Sequence, residues 1–276
     1  MKKILLSLGI IAVVAVGAVG ATRSFFSDTE TSTGNTFTAG AIDLKIDSTQ
    51  HYNGNVCAWD AGLTNPGTDK TGAWVWKGES QYPVPGLYCD GSWAETDLGI
   101  TNKFFNFGDI KPGDEGENTI SIHVLNNDAY VCAAVSSLTD LEKGQTEPEA
   151  SVDSTTGTNE GELSQTMLWK VWNDNGLVNG NGAPIQGAVA GDNIYQDGEK
   201  ILTEGNPKNG MLSVYDSTTE TGPLLATNTG YIGVAWSLPS TSGNETQTDS
   251  LTGDISFNVV QSRNNSAFKC SDLLPH

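Results

Sequence analysis

Apolar residues fall at every second position in several short stretches of this chain. Within Thr36 to Asp47, Ile42, Leu44 and Ile46 share one face, and Ile120, Ile122 and Val124 do the same within Glu117 to Asn126. Tyr231 to Leu238 repeats the pattern with Ile232, Val234 and Trp236. Leu251 to Val260 repeats it with Leu251, Ile255, Phe257 and Val259, but the phase slips at Gly253. A period of two marks a strand with one buried face, and a slip beside glycine predicts a β-bulge. Ala129 to Leu138 reads as a further strand. With Asn126-Asn127-Asp128 as the turn, it forms a predicted β-hairpin with the run before it. Lys111-Pro112-Gly113-Asp114 is a turn in which proline presets φ and glycine supplies a positive one. Regular patterning resumes just before it, at Phe104-Phe105-Asn106-Phe107. The run around Leu168, Val171 and Trp172 is too short to separate helix from strand. Asp197 to Glu204 reads as one helical turn, and residues 139–162 as a long exposed acidic loop.

Short strands separated by turns and long loops predict an all-β fold, a jelly-roll sandwich spanning 36–276. Residues 48–103 differ in texture. They hold Trp59, Trp74, Trp76 and Trp93 and the turn signals Asn65-Pro66-Gly67 and Pro85-Gly86. This segment reads as an insertion whose tryptophans form a local mini-core, with sugar stacking by exposed rings as the alternative. Trp172 and Trp236 are expected in the main core.

The chain begins with Met1-Lys2-Lys3 and an apolar run from Ile4 to Val19, followed by Val19-Gly20-Ala21. This is the pattern of a signal peptide over 1–21, and it predicts a secreted protein at the cell surface or beyond, with no membrane anchor after cleavage. Such a setting lets disulfides persist. The four cysteines, Cys57, Cys89, Cys132 and Cys270, contain no CxxC pair and allow three connectivities. Cys57 and Cys89 bracket the insertion, while Cys132 and Cys270 each follow a strand-like run, so Cys57–Cys89 and Cys132–Cys270 is the favoured pairing. The charge narrows the picture further. With 33 acidic and 14 basic residues the formal net charge is −19, which argues against nucleic-acid partners.

Four segments in order carry a resemblance. They are Ser24-Phe25-Phe26-Ser27-Asp28, Phe37-Thr38-Ala39-Gly40-Ala41-Ile42-Asp43-Leu44, Gly108-Asp109-Ile110-Lys111-Pro112-Gly113-Asp114, and WSLP followed by GNETQTDSLTGDISFNVVQ from Trp236 to Gln261. Together they resemble the TasA/camelysin family of exported proteins. The resemblance implies a jelly roll, a structural role in extracellular or biofilm-matrix fibres, and assembly with copies of itself by donation of an N-terminal strand. Accessory or anchoring matrix proteins would be further partners. The implied donor is the leader 22–35, with Thr22, Phe25, Phe26, Ser27 and Asp28 at its start. The tryptophan-rich segment departs from the shorter members of that family.

Camelysin-type relatives also imply a metallo-endopeptidase as an alternative. A zinc protease of the HExxH kind needs two histidines on one helix face. Only His51, His123 and His276 are present, none near another, and no GxSxG elbow occurs. A non-enzymatic chain is therefore the expectation, and a monomeric surface-binding module using 48–103 is a third reading. Calcium is the ion considered. Asn193, Asp197, Gly198 and Glu204 occupy positions 1, 5, 6 and 12 of an EF-hand-like loop, which Tyr195 breaks at position 3. Asn244 and Asn264 stand in glycosylation acceptor sequons.

Overall fold

A computed structural model describes residues 42–64, 71–219 and 221–273, and the backbone of 27–31. The signal peptide, Thr22, Phe25, Phe26, the Asn65-Pro66-Gly67 turn and His276 lie outside the described residues.

The fold is all-β. Its strands are β1 (Ser27–Thr31), β2 (Asp43–Tyr52), β3 (Asn55–Thr64), β4 (Thr71–Lys77), β5 (Trp93–Thr96), β6 (Glu115–Leu125), β7 (Ala129–Leu141), β8 (Leu168–Asn173), β9 (Ile201–Gly205), β10 (Gly210–Tyr215), β11 (Thr229–Ser237) and β12 (Ser250–Gln261). A four-stranded sheet has the order β1-β12-β7-β10. The larger sheet runs β4-β3-β2-β6-β11-β8-β9, with β5 also on β2. All recorded pairings between these strands are antiparallel.

The two sheets face each other across one core, as in a sandwich. Leu44, Ile46, Ile120, Ile122, Ile232 and Val234 enter it from the larger sheet. Val131, Ala133, Val214, Phe257 and Val259 meet them from the smaller one. The alternating residues therefore do face inward, and β12 has its register shift between Thr252 and Asp254, at the predicted bulge. The run at 168–173 resolves as a strand paired with β11 and β9.

Several expectations are corrected. The 117–138 hairpin is not formed. β6 pairs with β2 and β11, whereas β7 pairs with β12 and β10, so Asn126-Asn127-Asp128 carries the chain from one sheet to the other. Alternation assigns each strand an inner face but not a sheet, and both inner faces here enter one core from opposite sides. The first strand runs to Tyr52 rather than ending at Asp47. Its inward positions turn polar at Ser48 and Gln50, which hides the continuation from a hydrophobic pattern. Both are buried and bonded: Ser48 Oγ accepts from the Asn118 amide at 3.2 Å, and Gln50 donates its amide to the Phe104 carbonyl at 2.9 Å and its own N–H to Ser92 at 2.8 Å. Asp197 to Glu204 is not a helical turn, because Ile201–Gly205 pairs with β8.

The tryptophan-rich segment is less separate than expected. Residues 48–52 belong to β2, and the excursion starts at the Asn53-Gly54 turn, whose φ values of 48° and 80° are those of a type I′ hairpin. β3 and β4 then extend the larger sheet. The Cys57–Cys89 disulfide staples the excursion (Cα–Cα 5.9 Å), and Tyr52, Cys57, Trp76 and Trp236 form a second small core beside it. Trp236 therefore belongs to this satellite rather than to the main core. Trp59, half exposed, packs edge-on against Trp74. The predicted turn at 111–114 is present, closed by Asp114 N–H to the Lys111 carbonyl at 2.9 Å. The Asp114 carboxylate also accepts from Tyr52 at 2.7 Å and Asn53 at 2.9 Å, locking that turn to the β2–β3 hairpin.

Candidate functional site

The first candidate site is the lateral edge of β12, where the N-terminal strand pairs. The sequence SLTGDISFNVVQ is β-branched and aromatic enough to form a long strand. Its core-facing Phe257 and Val259 are fully buried. Its outer face is covered as well. Val260 lies in a cluster with Tyr130, Phe268, Cys132 and Cys270. The Cys132–Cys270 disulfide (Cα–Cα 5.5 Å) pins the C-terminal segment there, Phe268 stacks on Tyr130 at 5.6 Å, and the Cys270 N–H donates to Asp216 at 2.9 Å. On one lateral side β7 pairs with β12 along almost its whole length. β12 is thus held from three sides.

The fourth side carries β1. Five positions pair, from Ser27 opposite Val260 to Thr31 opposite Ser256. Ser27 and Asp28 of the implied donor are therefore placed on this edge, in register with Val260 and Val259. β1 is the end strand of its sheet, and its five residues, Ser-Asp-Thr-Glu-Thr, contain no large apolar side chain. β1 is thus a short strand at the edge of the sheet, on the lateral side of β12 that β7 does not cover.

The other sequence-derived candidates are not brought together. Asn193, Asp197 and Glu204 do not converge. Asn193 is buried and its amide contacts His51 Nδ1 at 2.7 Å and Glu117 at 3.1 Å. Asp197 lies exposed in a turn, and Glu204, on β9, pairs with Lys170 at 3.2 Å. The calcium reading of these three residues is therefore not supported by their placement. His51 and His123 sit at opposite ends of the β2–β6 ladder, His123 opposite Lys45 and His51 opposite Glu117. Six strand positions separate them, roughly 20 Å. His123 bonds to Asp47 at 2.7 Å and His51 is engaged by Asn193. Burial lowers the pKa of His51. Asn244 and Asn264 are both exposed, as acceptor sites need to be.

The loop 174–200, whose C-terminal part the sequence marked only as a broken EF-hand-like pattern, packs on the outer face of the larger sheet. Tyr195 lies edge-on to buried Trp172 at 5.9 Å, and Gly191 abuts the Tyr231 ring closely enough to exclude a side chain. At its root Asp174 is buried. One carboxylate oxygen accepts the Asn193 N–H at 3.0 Å and the other has no partner. Burial, with Glu199 and Asp192 nearby, pushes its pKa up to about 7.

Comparison with known proteins finds no family model and no curated protein that matches this chain. The two disulfides fit an oxidising, extracellular setting. Among the described residues no helix is long and apolar enough to cross a membrane.

Proposed function

We propose that this chain is a secreted structural subunit of extracellular filaments, which join head to tail when the N-terminal strand of one copy replaces β1 on the β12 edge of the next. The sequence resemblance to TasA/camelysin proteins supports this reading, and the antiparallel β-sandwich is consistent with it. The observation that carries it is the position of β1: an edge strand held by five paired positions on a template fixed from its other sides. A strand supplied by a second copy has the same sequence and makes the same main-chain bonds, so exchange conserves the contacts and is driven by concentration. The contact is heterologous and does not close, so it propagates as a filament.

Cysteine pairing separates exchange from self-pairing. Thr29 stands opposite Asn258, and paired positions of this kind lie close enough for a disulfide. The double variant Thr29→Cys, Asn258→Cys, oxidised after assembly, is expected to give a ladder of covalent multimers on a non-reducing gel. Deletion of residues 22–35 is expected to leave a folded monomer that forms no filaments by negative-stain microscopy. Cross-linked monomer alone, or normal filaments from the deletion, would overturn the proposal.

A further inference from the structure

The segment that the sequence marks as an exposed acidic loop is folded around its own acids. Glu149 is completely buried, and Glu142 and Asp153 are nine-tenths buried or more. The loop leaves β7 at Leu141, makes a 3-10 turn at Glu149–Ser151, and reaches Glu162 just before the helical turn Leu163–Thr166. There it meets the residues that lead into β12: Thr248 and Asp249. Candidate ligand atoms of Glu142, Glu149 and Asp249 lie within 4.8 Å of one another, and so do those of Glu142, Asp153 and Glu162.

Asp153 accepts through both oxygens, Oδ1 from the Thr155 N–H at 2.8 Å and Oδ2 from the Gln145 amide at 2.8 Å, whereas the other four carboxylates are each oriented through one. Glu149 Oε2 accepts from the Thr146 N–H at 2.9 Å and from the Thr248 hydroxyl at 3.0 Å. Glu142 Oε1 accepts from the Gly144 N–H at 3.0 Å. Asp249 Oδ2 accepts from the Glu162 N–H at 2.7 Å, and Glu162 Oε1 from the Thr155 hydroxyl at 3.1 Å. The second oxygens, Glu142 Oε2, Glu149 Oε1, Glu162 Oε2 and Asp249 Oδ1, are buried and have no hydrogen-bond partner. Among the described residues no lysine or arginine forms an ion pair with any of these groups. Four buried, unpartnered anionic oxygens held together without a counter-charge are strongly unfavourable. A cation among them reverses the sign of that interaction.

We propose that Glu142, Glu149, Asp153, Glu162 and Asp249 form a calcium site that fastens the 142–162 loop to the root of β12. The donor set is all oxygen, with no histidine or cysteine, which selects a hard cation. Calcium takes six to eight oxygens at 2.3–2.6 Å in irregular geometry, so ligand atoms up to about 5 Å apart surround one centre. Magnesium demands a tighter octahedron and keeps its waters, which loop carboxylates of this kind do not favour. Glu142 belongs to both triads and is the shared ligand. Thr248, which presents its hydroxyl to Glu149, holds a positive φ of 62°, rare for a β-branched residue.

The test uses the purified secreted protein, stripped of metal, in calorimetric titration with calcium chloride and in thermal melts with calcium, magnesium or chelator. Calcium is expected to bind with Kd below about 10⁻³ M, the weak limit of extracellular calcium modules, and to raise Tm where equimolar magnesium does not. Glu142→Gln is expected to weaken binding roughly tenfold or more by removing ligand charge, and to abolish the calcium-dependent rise. In chelator the same variant should melt higher than the parent, because one repelling charge is gone. A carboxylate with only a structural role would leave Glu142→Gln equal or less stable in both conditions. Asp197→Asn, in the exposed turn, should bind as the parent does. No calcium heat and no Tm shift in the parent protein would overturn the proposal, whatever the folding of the variants.

Discussion

Asp174 shows what a single buried acid does to this protein. Its pKa of about 7 in the folded chain lies well above the ordinary carboxylate value of 3.8. Between those values the native state holds a proton that the unfolded state has released. Stability contributed by this group therefore falls as pH rises from about 4 to 7, and is level above. Asp174→Asn is expected to flatten that part of the stability–pH curve, measured by urea unfolding at intervals between pH 4 and 8. An unchanged slope would mean the native group ionises normally. Gly233 makes the related steric point: a Cβ there would lie 2.1 Å from the ring of buried Trp172. Neither Asp174 nor Gly233 stands out in the sequence, because what matters at each is a neighbour brought in by folding: the far end of its own loop for Asp174, and Trp172 of the adjacent strand for Gly233.

Among the elements, the C-terminal segment beyond β12 has the clearest mechanical role. It carries no regular alternation, yet Phe268 and Cys270 cover the outer face of β12 and β7. The Cys132–Cys270 loop closes 138 residues, for which the chain-entropy model gives roughly 4–5 kcal/mol as an upper figure. Replacing both cysteines with serine is expected to lower stability by roughly 2–5 kcal/mol. It should also raise amide exchange across 262–273, measured by hydrogen exchange with mass spectrometry. Unchanged protection there would show that Phe268 and the Asp216 bond hold the segment unaided. The cysteine pairing was legible in the sequence, since Cys57 and Cys89 bracket the tryptophan-rich segment and Cys132 and Cys270 each follow a strand-like run. The β6–β7 crossing was not, because alternation is the same whether two strands share a sheet or face one another.

For the whole molecule, the acid excess is the property that bears on the proposed association. A formal net charge of −19 makes copies repel at long range, and salt screens that repulsion over a Debye length of about 8–10 Å near physiological ionic strength. Filament assembly under the proposed function is therefore expected to be slow in dilute buffer and to accelerate as sodium chloride rises, followed by light scattering at fixed protein concentration. Rates indifferent to ionic strength would remove charge as the brake on assembly. The acid excess itself was plain from composition. Its distribution was not: part of it faces solvent, and part is turned inward at Glu142, Glu149 and Asp174.

The sequence by itself determined part of the local structure: the inward faces of β2, β6, β11 and β12, the place where β12 bulges, and the turn at 111–114. Those follow from side-chain alternation and backbone preference, which act over a few residues. Only the tertiary structure decided which sheet each strand joins, that β2 continues through Ser48 and Gln50, and that β1 lies on β12. It alone gathered five acids from residues 142 to 249 into one cluster while leaving Asn193, Asp197 and Glu204 apart. The reason is that burial and charge proximity are relations between residues far apart in the chain, and no short-range pattern encodes them.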